Sequence, residues 1–396
     1  MRPVMSVVLV DALGWTLAGR DPAFAPRLAE RRPLATVLGF SSGALPTAFT
    51  GRRAEEHGRW LMYARARAGS VFRGLDILRW LPARVRRSRR MTRLLERLVR
   101  RRGVRGYFNL YEVPREELPA FDLPEKDDIF RPGGLPCDSL WDALERRGAA
   151  WRGWNWRTPE AEARAEALAC LEQGRHDFLF VYSAVLDAHL HHEGSQGGSV
   201  KRCLSEWSAW FDAAAAAARR GGREPWLYLC SDHGMVDVHA SVDVMARVAA
   251  RPWRRGRDYL AFFDSTMARF WWREPRARED IRAALAAEPL GRWLTRDELA
   301  REGAAFADAR YGEDVFLLEP GALLVPSFMG RAPVAAMHGY DPGHPDMAGV
   351  LASNRPLPPG VTHLSHLRAF LERELDALEA AAAGETGPAP AAERRA

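Results

Sequence analysis

Carboxylate and imidazole side chains gather in short segments whose spacing suits metal chemistry. Asp11 ends the first apolar run of the chain. Asp187 and His191 lie four residues apart in Asp187-Ala188-His189-Leu190-His191-His192-Glu193-Gly194, so one helical turn places both on the same face. Asp232 and His233 are adjacent in Ser231-Asp232-His233-Gly234-Met235, and His338 opens His338-Gly339-Tyr340-Asp341. Nitrogen and oxygen donors of this kind suit divalent ions, zinc above all, and manganese or iron also. Two such ions roughly 4 Å apart stabilise both the attacking and the leaving oxygen of an in-line displacement at phosphorus. A serine hydroxyl held by one of them becomes a nucleophile without a histidine base. The segment Phe40-Ser41-Ser42-Gly43-Ala44-Leu45-Pro46-Thr47-Ala48-Phe49-Thr50-Gly51 supplies the serines. A helix starting there would add its positive end to a phosphate site.

These residues need strand ends to hold them. Residues 4–10 (VMSVVLV) form a β-branched apolar run of the buried parallel type, and similar runs recur at 177–184 and 226–230. Each ends near a polar group: Asp11, Asp187, and Ser231-Asp232-His233. Helical patterns lie between them, at 138–147 and 201–220, so the fold class is α/β, an α/β/α sandwich with a mostly parallel central sheet. Ligands of such sheets sit beyond the carboxyl ends of the strands. Residues 258–272 read as an antiparallel hairpin and 314–325 as a second, turned at Pro320-Gly321. Helices are expected at 276–287, 295–302 and 363–382, and a late strand at 347–352. Residues 60–150 interrupt the pattern and read as an inserted helical cap on a domain spanning 1–382. The Ala/Pro/Gly/Glu-rich tail, 383–396, reads as disordered.

Taken in order, the segments resemble the alkaline phosphatase superfamily, and most of all its type I phosphodiesterase/nucleotide pyrophosphatase branch. There the nucleophile lies ten residues before the glycine of a Thr-Gly pair; counting back from Gly51 reaches Ser41, with Ser42 as the alternative. The resemblance implies that Asp187, His191 and His338 hold one metal, and that Asp11, Asp232 and His233 hold the other, with Ser41 beside it. It implies hydrolysis of phosphodiester or pyrophosphate bonds through a seryl-phosphate, with two divalent ions, zinc first, as cofactors. Cofactor-independent phosphoglycerate mutases keep the last histidine much closer to the Asp-His pair than the 105 residues that separate His233 from His338. Sulfatases need a modifiable Cys or Ser in a C/S-x-P-S-R setting, which Ser41-Ser42-Gly43-Ala44-Leu45 does not supply.

One departure stands out. The branch usually carries an asparagine near the nucleophile, and residues 41–62 contain none; Arg59, with a fork suited to phosphate, is the substitute donor read here. Phosphomonoesterase or transferase chemistry on the same site is therefore the alternative reading, with a non-catalytic metal-binding scaffold as the third. His57, His189 and His192 are expected outside the ligand set, and His344, His363 and His366 receive no role.

The bulk composition narrows the partners. No run approaches the roughly 18 apolar residues of a membrane span, the short first run lacks the features of a signal peptide, and the four cysteines show no CxxC pair. The expectation is a cytoplasmic protein. The net charge is +6 and is carried almost wholly by arginine, dense between Leu75 and Arg102. Apolar positions recur there at helical spacing, with Pro82 as a break. The stretch reads as a solvated face, as a contact with an anionic membrane surface, or as a lining that steers an anionic substrate to its site; no recognition motif supports nucleic acid.

Overall fold

The computed structural model describes residues 1–67 and 69–384. Its main sheet has six strands, in the order Glu30–Leu34, Gly349–Ser353, Glu224–Cys230, Pro3–Val10, Phe178–Ser183, Trp151–Trp154. The last four run parallel, and Gly349–Ser353 runs antiparallel to both of its neighbours. Every residue of Pro3–Val10 is buried. Successive side chains of a strand point to opposite faces, and here both faces are covered. Val4, Val8, Val10, Leu179, Val181, Leu227 and Leu229 pack under helices Glu160–Gln173, Val185–Glu193 and Gly198–Arg220. Met5, Val7, Leu9, Phe178, Phe180, Trp226 and Tyr228 pack under Ser41–Thr50, Leu140–Arg146 and Leu367–Ala382. The α/β/α sandwich expected from the alternating pattern is what the chain forms.

A second, four-stranded antiparallel sheet stands beside it, ordered Tyr259–Phe263, Met267–Trp272, Asp314–Leu318, Gly291–Trp293. The hairpin expected at 258–272 is present. The one expected at 314–325 is not. Asp314–Leu318 already has a partner on each edge, Met267–Trp272 and Gly291–Trp293. Ala322–Leu324 therefore turns away at Gly321 (φ +86°) and pairs in parallel with Ala240–Val242.

Much of the segment before Leu140 packs on this second sheet: Tyr63, Phe72, Leu75, Leu95, Val99 and Phe121 share a core with Phe262, Trp271 and Phe316. The Arg-dense stretch forms three pieces: a 3₁₀ helix Leu75–Trp80, a turn of α-helix Ala83–Arg86, and Arg89–Arg101. Pro82 stands before the second piece, and Ser88 caps the third by accepting from the Met91 backbone N–H at 3.2 Å. Leu140–Arg146 packs with the main sheet, not with this layer. Among the described residues no helix is long and apolar enough to cross a membrane. Cys170, Cys203 and Cys230 are buried free thiols and Cys137 is partly buried. Of the tail expected to be disordered, residues 385–396 lie outside the described part of the chain.

Candidate active site

The chemistry-bearing residues meet beyond the carboxyl ends of the parallel strands. Asp11 follows Pro3–Val10 directly, and its backbone N–H donates to the Ser183 carbonyl at 2.9 Å. Asp187 and His191 sit on Val185–Glu193, the helix that follows Phe178–Ser183. Asp232 and His233 follow Glu224–Cys230. Two glycines of the motifs have steric reasons. A Cβ on Gly234 would lie 2.0 Å from the Asp346 carbonyl oxygen. Gly339 has φ +87°, and a Cβ there would meet the Phe40 ring at 2.6 Å. Each lets a neighbouring chain segment close over the histidine before it.

Ser41 is the first residue of helix Ser41–Thr50, entered through Phe40 in extended conformation. Its hydroxyl lies 3.5 Å from both Asp11 carboxylate oxygens and 3.0 Å from His233 Nε2. Ser42 is turned elsewhere and donates to the Trp60 carbonyl at 3.2 Å. That carbonyl also presses on the helix, since a Cβ on Gly43 would meet it at 2.6 Å. The helix start therefore aims the first serine, not the second, at the acidic cluster. No acidic side chain occupies the first turn, so its positive end is free for an anion.

Two trios of side chains have the geometry of ion sites. In one, Asp187, His191 and His338 each place a ligand atom within 4.8 Å of the others; in the second, Asp11, Asp232 and His233 do the same. Asp187 Oδ1 is 3.3 Å from His191 Nε2 and 3.8 Å from His338 Nε2. His233 Nε2 is 3.4 Å from Asp11 Oδ1 and 3.3 Å from Asp232 Oδ2. The backbone sets two of the rings: His191 Nδ1 pairs with the Ala336 carbonyl at 2.8 Å, and His233 Nδ1 with the Gly234 carbonyl at 2.9 Å. Each leaves Nε2 for an ion, the usual orientation of a ligating histidine. Asp187 Oδ1, Asp232 Oδ2 and His338 Nδ1 are buried with no protein hydrogen-bond partner. Buried polar atoms are rarely left so, and a cation in each trio would satisfy the two carboxylate oxygens.

The electrostatics agree. Burial, then the neighbouring carboxylates of Asp232 and Asp187, push the Asp11 carboxyl well above the usual range, against a hydrogen bond from the Tyr182 hydroxyl at 2.5 Å. Burial, then His233 and His191, hold His338 well below the ordinary imidazole value. At His191 burial works against the charged ring, but Asp187 and the Ala336 carbonyl outweigh it and raise the pKa. Three carboxylates packed this closely call for positive charge between them, and the Asp/His donor set fits divalent ions of the zinc type.

The site opens into a cavity of about 430 Å³. Its far wall comes from the segment that interrupts the sheet pattern and from the later loops, including Tyr107, Glu125, Trp156 and Met329. Arg59 lines it as well, buried, with Nη2 donating to the Gly134 carbonyl at 3.0 Å while Nε and Nη1 have no partner. The sequence reading singled out Arg59 but missed Tyr182, Tyr107 and Trp156. Tyr182 carried a signal, since it stands next to last in a strand whose neighbour delivers Asp11. The histidines expected outside the ligand set are outside both trios. His57 is fully buried beside Thr47, its Nε2 3.0 Å from Thr47 Oγ1.

An α/β/α sandwich around a mostly parallel sheet is the architecture of the alkaline phosphatase-like fold, and this chain has it. No protein-family model matches the chain, and no curated protein matches it by sequence. Solved structures do match. Murine ectonucleotide pyrophosphatase/phosphodiesterase 5 (ENPP5) superimposes with a TM-score of 0.65 at 15% identity, over 94% of this chain and 95% of that one. An inactive variant of the murine protein in complex with AMP gives 0.63 at 16% identity, over 95% of each chain. Human ENPP5 gives 0.63 at 12% identity, over 94% of this chain and 95% of that one.

Proposed function

We propose that this chain is a metal-dependent hydrolase of phosphodiester or pyrophosphate bonds that works through a covalent phosphoryl-Ser41. One observation carries the reading: the Ser41 hydroxyl lies at the head of a helix, 3.5 Å from Asp11 and 3.0 Å from His233, beside two complete trios of ligand residues. Asp187, His191 and His338 would hold one divalent ion and Asp11, Asp232 and His233 the other, zinc being the ion their donors suit best. When bound, such a pair supplies charge stabilisation at the attacking and leaving oxygens and lowers the pKa of the hydroxyl beside it.

The protein's own groups do the rest. The helix start of Ser41–Thr50 presents its positive end to the phosphoryl oxygens. Arg59 lines the cavity and its Nε and Nη1 have no protein partner, which supports it as the donor in place of the asparagine that the phosphodiesterase branch usually carries near the nucleophile. Ser41 Oγ bonds to phosphorus as the ester oxygen leaves, the proton released by the serine hydroxyl passing through water to the leaving oxygen; a water then adds its hydroxyl to phosphorus as the Ser41–phosphorus bond breaks and returns its proton to Ser41 Oγ. Tyr182 holds Asp11 in place. ENPP5 is by name a nucleotide pyrophosphatase/phosphodiesterase, and its complex with AMP supports a nucleotide or similar diester as the substrate class here. The free thiols support a reducing compartment, the cytoplasm.

The test compares hydrolysis of bis-p-nitrophenyl phosphate and p-nitrophenyl phosphate with added zinc, for the native chain and Ser41→Ala. Diester cleavage that exceeds monoester cleavage and vanishes in the variant is the expected result. Full activity in the variant would overturn the mechanism, and a monoester preference would overturn the substrate class.

A further inference from the structure

Exposed large apolar side chains gather in the most basic segment of this protein. Of the seven exposed large apolar side chains among the described residues, four fall in a single stretch: Ile77 (67% exposed), Trp80 (76%), Val85 (43%) and Leu94 (58%). The inner side of the same layer is well packed, with Leu75, Leu78, Leu95 and Val99 in the core of the second sheet. The outer residues are thus not loose ends of a poorly folded region. Ile77, Trp80 and Leu94 form a second apolar set on the two helices whose first apolar set is already buried, and Val85 stands on the exposed turn between them. Ile77 and Trp80 are three apart on a 3₁₀ helix, where side chains at that spacing eclipse and share a face. Leu94 shares its α-helical face with Arg90, Arg97 and Arg101. The layer is held together, because Arg102 at the end of the long helix donates to the Val71 and Arg73 carbonyls before the 3₁₀ turn.

The charge is equally concentrated. Residues 75–102 contain eleven arginines against Asp76 and Glu96, an excess larger than the net +6 of the whole chain. Among the described residues only Arg86 of these forms an ion pair, with Glu116 at 2.5 Å. Arg100 and Arg102 donate to backbone carbonyls. The others face solvent or half-solvent without an acidic partner, and Arg79 lies over the Trp80 ring at 5.1 Å. A solvated face would carry the arginines without the aliphatic tips. A nucleic-acid face would gain from the arginines and from Trp80, but not from exposed Ile77, Val85 and Leu94. An anionic bilayer matches both features. Apolar tips enter the boundary between headgroups and acyl chains, indole prefers that depth, and arginines around them meet the lipid phosphates.

We infer that the outer face of residues 75–102 docks this protein on an anionic lipid bilayer. The inference does not depend on the proposed catalytic reading, since none of these side chains belongs to either ligand trio. The experiment is co-sedimentation of the full chain with phosphatidylcholine vesicles and with vesicles that also contain phosphatidylglycerol. It compares the native protein with an apolar-face variant (Ile77→Ser, Trp80→Ser, Leu94→Ser) and a charge variant (Arg90→Glu, Arg93→Glu, Arg97→Glu), each checked by thermal melting. Expected are binding to the anionic vesicles only, weakened by salt, and a fall in partitioning of about tenfold or more in each variant. No binding to anionic vesicles by the native chain overturns the inference. So does full binding by the apolar-face variant, which would mark a plain polyanion site; displacement of the native chain by nucleic acid but not by vesicles would assign that site to nucleic acid.

Discussion

The rings of His233 and His338 lie face to face, with centroids 3.8 Å apart and planes 13° from parallel. One belongs to each trio, so the two candidate ion positions adjoin through stacked imidazoles, and Phe40, the residue before Ser41, closes edge-on against His338 at 5.3 Å. The pair places both ion positions near one hydroxyl. It also requires both rings to be neutral, as ligands must be, and burial together with the flanking histidines already keeps His338 uncharged.

His338→Ala should therefore remove one ion and spare the other. Metal analysis of the purified variant is expected to give about half the native content, with diesterase activity down at least 100-fold, beyond the roughly 10–100-fold typical of residues that only orient a ligand. Unchanged metal content would separate His338 from ion binding.

The two serines should behave differently. Ser41→Ala is expected to abolish diester turnover, while Ser42→Ala, which loses only a hydroxyl bonded to the Trp60 carbonyl, keeps it within about tenfold and loses on the order of 1 kcal/mol of stability. Initial rates and urea unfolding of the two variants decide this. A reversed order would move the nucleophile one residue along the helix.

Arg59 predicts a binding effect. It lines the cavity, and its buried Nε and Nη1 have no protein partner. Arg59→Ala should lower kcat/KM for the diester by about 10–100-fold, the loss expected for a hydrogen bond to a charged group. Arg59→Lys should restore only part of it, because an ammonium lacks the planar fork. Equal kcat/KM in Arg59→Ala would remove Arg59 from phosphate recognition.

His57 makes stability depend on pH. Burial, then the nearby Arg59, lower its pKa from 6.5 to about 3. In this window the unfolded chain binds the proton and the native chain does not, so stability is full above about pH 6.5 and falls as the pH drops towards about 3. Between about pH 7.5 and 5.5 the native chain should lose about 1.4 kcal/mol through this residue. His57→Gln should show a correspondingly smaller loss, read from urea midpoints at the two pH values. The same loss in both proteins would contradict the assignment.

The chain's local patterns determined the sandwich and marked out the residues that the structure gathers into two trios. Buried parallel strands are continuous apolar runs that need no partner to be recognised, and the ligands come in short motifs: four apart on a helix, adjacent at a strand end, or followed by a glycine where another segment packs close. Those features are encoded within a few residues of one another. Tertiary structure decided what depends on distant neighbours. The strand Asp314–Leu318 has both edges taken, so the turn at Pro320-Gly321 does not make a hairpin. Ser41 faces Asp11 because the Trp60 carbonyl holds Ser42. Tyr182 reaches Asp11 from the neighbouring strand, and His338 reaches Asp187 and stacks on His233 across more than a hundred residues of chain. Such pairings follow from the packing of whole layers, whose energy is spread over many contacts and leaves no mark in the spacing of any single segment.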